Sequence, residues 1–392
     1  MSKLTDEPVV AAGEPSYVLE SDEVRVVVSR AGGQAAPITF FRASKHPLEP
    51  YYVSPWSTET AEIPPAEPCV RALRGDFLGF PFGNPGTHEG KSYLLHGETS
   101  YEPWSVEGAS RTGSVRELVM TLKTTEPAGR VTKRLALVDG QNVVYVQHRL
   151  AGYSGSYPVG HHAMLAMPEE DHSVLLGLSA YRYGRTWPTP FGDPAGLGSY
   201  YALAVDQRFE RLDRVPTIFK ASPDADYSSY PTGRGYTDGL MVFSEPAPTP
   251  AWTAATFTTK GFLWFALKDS SILPSTLIWT ANRGRHFSPW NGREACLGLE
   301  DVRSYFGAGV AGSVAPNSLS RDGIPTTLVL DSSHDTVINH IQGVARTPDG
   351  FDRVISADFT AGHVAFRDAT GHEVVVAVAH DYLRTGELAP AG

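Results

Sequence analysis

The chain has 392 residues, with 33 Lys and Arg against 43 Asp and Glu and a formal net charge of −10, and it contains no Lys/Arg block of the kind that marks a nucleic-acid surface. No apolar run approaches the ~20 residues that a membrane-spanning helix needs, so membrane partners are not expected. Only Cys69 and Cys296 are present, which excludes a disulfide framework and a C-x-x-C metal motif.

In chain order, residues 1–15 are expected to be a flexible polar tail, and M-S-K-L-T-D-E-P carries no apolar leader, which points to the cytoplasm. Alternation at 17–19 and 24–28 predicts the first strands, and the Pro-rich stretch 46–68 reads as loop. Further strands are expected at 115–124, 130–138, 142–150, 173–180, 255–268, 275–281, 326–331, 354–359 and 374–380, many of them separated by turn signals such as Asp139-Gly140 and Thr370-Gly371. One short helix is expected over Asp335 to Gln342. The stretch 184–238, aromatic and rich in Pro, Gly and Asp, reads as extended functional loops or an insertion. With 38 Gly and 30 Pro and so few helical patterns, the expected fold is all-β: a large sandwich of many antiparallel strands, with residues 16–385 as one domain.

Two strands carry the chemistry. In A-C-L-G-L-E-D, Leu297 and Leu299 share one face, while Cys296, Gly298 and Glu300 share the other. The leucine face belongs in a core, and the glycine leaves space beside the carboxylate. In V-G-H-H-A-M-L, His162 sits beside Gly160 on one face, and His161 takes the more continuous apolar face with Val159, Ala163 and Leu165. A carboxylate in a partly desolvated place and an imidazole on a cleared face form a candidate acid/base pair, Glu300 and His162. His161 is kept as a candidate binding residue although its face suits the core, and because adjacent strand residues point apart, no zinc site is expected from the pair.

Three further stretches supply candidate binding residues. His96-Gly97 with Trp104 offers a polar group and a flat apolar wall, the combination that a sugar ring needs. Arg74 and Asp76, in L-R-G-D-F-L-G-F-P-F-G, read as a polar fork on one strand face. The segment W-T-A-N-R-G-R-H-F-S-P-W, 279–290, mixes Asn282, Arg283, Arg285 and His286 with aromatics as ligand-lining loops do. Nucleotide, esterase and metalloprotease signatures are absent.

In this order, R-G-D-F-L-G-F-P-F-G, His96-Gly97 with Trp104, G-H-H-A-M and L-G-L-E-D resemble the aldose 1-epimerase family, the galactose mutarotase-like proteins, over about 16–383. The resemblance implies a galactose mutarotase-like β-supersandwich with few short helices, and a carbohydrate isomerase that interconverts α and β anomers. It places the base on Glu300 and the acid on His162, with His96, Arg74 and, in G-Y-T-D-G-L, Asp238 holding sugar hydroxyls. It calls for no metal or other cofactor, and for a small-molecule sugar or glycan as partner to a monomer or dimer. The chain departs from the family pattern at Ala163, Met164 and Asp76, and at Glu98-Thr99-Ser100, where the phosphate-binding branch has an arginine. A non-catalytic carbohydrate-binding protein on the same scaffold is the alternative reading, with a polysaccharide lyase or hydrolase third.

Overall fold

The computed structural model describes residues 8–388. Two antiparallel sheets carry most of it. The larger has nine strands: in spatial order, Ser229–Tyr230, Val174–Leu178, Ala251–Phe257, Phe262–Lys268, Thr336–Arg346, Val143–Ala151, Ala128–Val138, Val115–Thr125 and Ser105–Thr112. The smaller has seven: Arg208–Phe209, Tyr181–Thr186, Tyr236–Ser244, Ser275–Asn282, Ala295–Arg303, Val159–Ala166 and Leu78–Gly79.

The sheets pack face to face over one core, in which Leu297, Leu299, Ala163 and Leu165 of the smaller sheet share a cluster with Val131, Leu135, Trp264 and Ile338 of the larger. Burial of this apolar surface is the main drive for the sandwich. The outer face of the larger sheet is covered by a three-stranded sheet, Val354–Thr360, His363–Asp368 and Glu373–Ala377, and by the short helix Tyr382–Thr385. The outer face of the smaller sheet holds a separate apolar cluster of Met164, Cys296, Leu277, Trp279 and loop aromatics.

Several expectations need correction. Within the expected tail 1–15, Val9–Ala11 pairs with Glu14–Glu20 in a hairpin; residues 1–7 lie outside the described residues. The expected helix at 335–342 is instead the strand Thr336–Arg346, held on both sides by Val143–Ala151 and Phe262–Lys268. Val337, Ile338, Ile341 and Val344 carry helical spacing, but two neighbouring strands offer the backbone a full ladder, and tertiary pairing overrides local periodicity. The run 255–268 is two strands, Ala251–Phe257 and Phe262–Lys268, reversed at 258–261, where Gly261 takes φ +65. Within 184–238, Ser229–Tyr230 edges the larger sheet and Arg208–Phe209 the smaller, so only part of that stretch is loop.

Between the sheets runs a polar seam. His161 Nδ1 lies 3.0 Å from Asp76 Oδ2, and its ring stacks on His340 at 4.2 Å and 13°. His340 Nε2 is 2.9 Å from Asp301 Oδ2, and the Lys268 ammonium lies 2.7 Å from Asp301 Oδ1 while also donating to Ser275 O and Thr276 Oγ1. Burial alone would push the Asp301 carboxyl up; the Lys268 ammonium and His340 outweigh it and hold the group well below the usual carboxylate range. Asp301→Asn, which leaves Lys268 buried without its counter-charge, is expected to cost about 3–5 kcal/mol in urea unfolding, and pairing it with Lys268→Met should recover part of that loss. A single substitution that costs nothing would mean that the seam does not hold the sheets.

Candidate active site

Strands Val159–Ala166 and Ala295–Arg303 pair antiparallel with His162 opposite Glu300. Directly opposed residues project to the same side, here away from the sandwich core. The His162 Nε2 to Glu300 Oε1 distance is 3.4 Å, and both side chains are buried, at 5% and 2% exposure. Gly298 is required between Glu300 and the next strand, because a Cβ there would come within 2.8 Å of Glu300 Oε1 and 3.0 Å of Trp279 Cβ.

Aromatic rings wall the pair. His162 stacks on Phe77 at 4.7 Å and 15° and meets the Trp279 ring edge-on at 5.8 Å. The His96 ring packs edge-to-face on His162 at 4.9 Å and also contacts Phe82. His96 sits at φ +58 just before Gly97 at φ +70, and the Gly83 N–H donates to its Nδ1 at 3.3 Å, which assigns the proton to Nε2. Burial pushes His96 down to about 3, so it is neutral near pH 7. Burial likewise holds His162 well below the usual imidazole range, helped by His96 and Arg285, and lifts Glu300 well above the usual carboxylate range. Burial thus works against charge on both members of the pair.

His162, Glu300 and His96 open onto one cavity of about 380 Å³, within the range of small-molecule sites. Its outer wall comes from 187–199, with Trp187, Phe191, Asp193 and Ser199, and from Trp279, Arg285, Phe287 and Trp290. Of the mixed segment 279–290, Asn282 bonds Thr232 O, Arg283 pairs outward with Glu169, and His286 is exposed, so none of these three lines the cavity. Glu67, Phe82, Trp187 and Asp193 were not singled out from sequence. The aromatic composition of 184–238 marked the region but not these residues.

The other candidates lie elsewhere. Arg74 is fully buried, and its guanidinium donates to Ala72 O, Ala11 O and Ala12 O at 2.7, 3.0 and 2.9 Å. Gly75, at φ +54, turns the chain, so Arg74 and Asp76 form no fork; Asp76 faces His161 in the seam. His161, at 0% exposure, points into the seam and not the cavity. Trp104, 1% exposed, donates its indole N–H to Thr99 O and packs in the sandwich core rather than walling the cleft. Asp238 is also buried, accepting from the N–H groups of Ala202 and Leu203 and from Tyr227 OH, so its role is to tie down the 200–230 segment.

Among the described residues, one group could hold a metal by spacing: donor atoms of Asp76, His161 and His340 lie within 4.8 Å of one another. The fit is poor. The two imidazoles stack face to face, so their nitrogen lone pairs do not converge, His340 Nε2 is taken by Asp301, and the buried Lys133 ammonium adds positive charge near Asp76.

An ionised Glu300 would be costly in this setting. Its raised pKa means that the buried acid favours the folded state below the unfolded-state pKa and loses that advantage as pH rises through the folded value. Glu300→Gln should therefore raise thermal stability, by roughly 1–2 kcal/mol at pH 8 and less at pH 5. Paired melting curves at the two pH values check this; a variant less stable at pH 8 than the parent would contradict the burial assignment.

No family model matches the sequence, and no curated protein matches it. Solved structures do. A galactose mutarotase related enzyme from Lactobacillus acidophilus aligns over 85% of this chain and 98% of its own, with a TM-score of 0.53 and 13% identity. A galactose mutarotase-like protein from Lactobacillus casei aligns over 84% and 100%, with a TM-score of 0.51 and 10% identity. A TPR-domain containing protein from Parabacteroides distasonis aligns over 86% of this chain but 48% of its own, with a TM-score of 0.54 and 11% identity. The two sheets, their order and these neighbours together identify the architecture of the chain as the galactose mutarotase-like β-supersandwich.

Proposed function

We propose that the chain is an aldose 1-epimerase-like isomerase that interconverts the anomers of a free sugar. The carrying observation is the 3.4 Å approach of His162 Nε2 to Glu300 Oε1 at the floor of one aromatic-walled cavity. The anomeric hydroxyl oxygen and the ring oxygen are both bonded to C1, so two groups this close reach both at once. Glu300 takes the proton of the anomeric hydroxyl as its O–H pair becomes the second bond of the aldehyde. The C1–O5 bond breaks, and its electron pair takes the proton that His162 supplies. Rotation about C1–C2 presents the other aldehyde face, and the two transfers run in reverse. His96, its Nε2–H free toward the cavity, holds a sugar oxygen.

The reaction needs one proton on the pair, whichever member carries it at rest; entry of polar hydroxyls favours the carboxylate–imidazolium arrangement that starts the cycle. A second proton or none stops it. Because burial lowers His162, the acid limb should fall below the ordinary histidine pKa of ~6.5, and because burial raises Glu300, the alkaline limb should lie well above ~4.3. The expected profile of kcat/KM is a bell with its acid limb displaced below the ordinary histidine value and its alkaline limb above the ordinary glutamate value, measured by polarimetry of freshly dissolved aldoses. An acid limb above pH 7 would be inconsistent with a buried pair.

Glu300→Gln and His162→Asn should each lower kcat by about 10²–10⁴, while calorimetry still detects sugar binding by Glu300→Gln. Should the parent protein accelerate no aldose beyond buffer yet bind sugars, the scaffold serves binding alone.

A further inference from the structure

Mutarotation of a neutral sugar leaves one feature of the cavity unused. Among the described residues, Arg285 is the only Lys or Arg lining it. Its guanidinium lies over two indoles, 5.2 Å from the Trp279 ring centroid and 4.5 Å from that of Trp290. Among the described residues, no carboxylate forms an ion pair with it within 4.0 Å, and none of its side-chain N–H groups is hydrogen-bonded. The nearby Glu294 instead accepts from the Arg285 backbone N–H at 2.9 Å. Burial lowers the Arg285 pKa, and Glu294 and Glu67 oppose that shift from beyond pairing distance. The side chain is only partly buried, and none of its guanidinium nitrogens is sealed from solvent, so its donors face the cavity open to an incoming group. A ligand that brought an acceptor would pair with them.

The surroundings narrow the choice of acceptor. The planar fork, held against two indoles, presents an edge that matches a carboxylate through two parallel hydrogen bonds. The acidic side chains of Glu67, Asp193 and Glu300 line the same cavity. A doubly charged phosphate would meet one cation among three acidic groups, whereas a singly charged, planar carboxylate needs only that one partner. Trp279 contacts both His162, at 5.8 Å, and Arg285. The Trp279 indole thus touches both the guanidinium and His162, and Arg285 is close enough to act on the His162 imidazole through its charge.

We propose that the cavity takes a hexuronic acid, with Arg285 pairing to its carboxylate while the anomeric centre lies at His162 and Glu300. Placement of the anomeric centre rests on the isomerase reading; recognition of the carboxylate does not.

Calorimetric titration of the parent protein at pH 7 compares glucuronate and galacturonate with their neutral hexuronamides, which have the same shape, and with glucose 6-phosphate. The acids should bind about tenfold or more tightly than the amides, and the advantage should shrink as salt is raised. In Arg285→Met the acid-to-amide ratio should fall to about one, while Arg285→Lys should keep part of it. Equal affinity for acid and amide in the parent protein would overturn the proposal without recourse to any variant. So would a ratio that survives Arg285→Met, or tighter binding of the sugar phosphate than of either uronate. Polarimetry on the same sugars separates the two readings. Arg285-dependent uronate binding without accelerated mutarotation removes the isomerase reading alone. Rapid mutarotation of neutral hexoses with no acid-over-amide preference removes only the carboxylate assignment.

Discussion

The pairing of Val159–Ala166 with Ala295–Arg303 is the constraint on which the rest of the molecule depends. Its register sets His162 against Glu300 and His161 against Asp301. Because the side-chain period of a strand is two, these neighbouring pairs are sent to opposite faces of one sheet. One pair opens on a cavity; the other joins a sealed network that reaches Lys268 and His340 on the facing sheet. A slip of one residue would exchange them, placing an imidazole and an acid that need an accessible cleft inside the sandwich. The inner network, with its hydrogen bonds to specific partners, and the leucines beside it both penalise such a slip.

The strand faces were legible in the sequence because apolar residues alternate there with small or polar ones. Leu297 and Leu299 do lie in the core, and Cys296 and Glu300 do lie across from them. The same faces, with the family resemblance, marked Glu300 and His162 as a pair; that their two strands would be direct neighbours in register was not legible, since they are distant in sequence and their pairing is a property of the whole sheet. Arg74 and Trp104 fit short motifs yet serve packing: one is consumed by three carbonyls, the other by Thr99 and the core. No local signal announces a hairpin at 9–16 that supplies two of those carbonyls. The misread helix at 335–342 has the same origin. Its local spacing is helical, and only its neighbours make it a strand.

The acid/base pair itself is buried among aromatic rings. Phe77, Phe82 and Trp279 surround His162 with hydrocarbon, and no charged group pairs with Glu300. Such a setting strengthens every hydrogen bond that a bound sugar makes and keeps the proton of the pair from leaking to solvent. It also explains why Arg285 stands apart: it brings a full positive charge to a place that otherwise avoids one.

The anchoring of Arg74 has a practical corollary. Two of its three acceptors, Ala11 and Ala12, belong to the first hairpin, and the other end of the guanidinium's own segment leads directly through Gly75 to Phe77, the ring on which His162 lies. An expression variant begun at Ser16, as the polar look of the leading residues invites, would strip a sealed cation of most of its partners. The disturbance would arise far from the cleft in sequence yet be felt three residues from the ring that seats its imidazole.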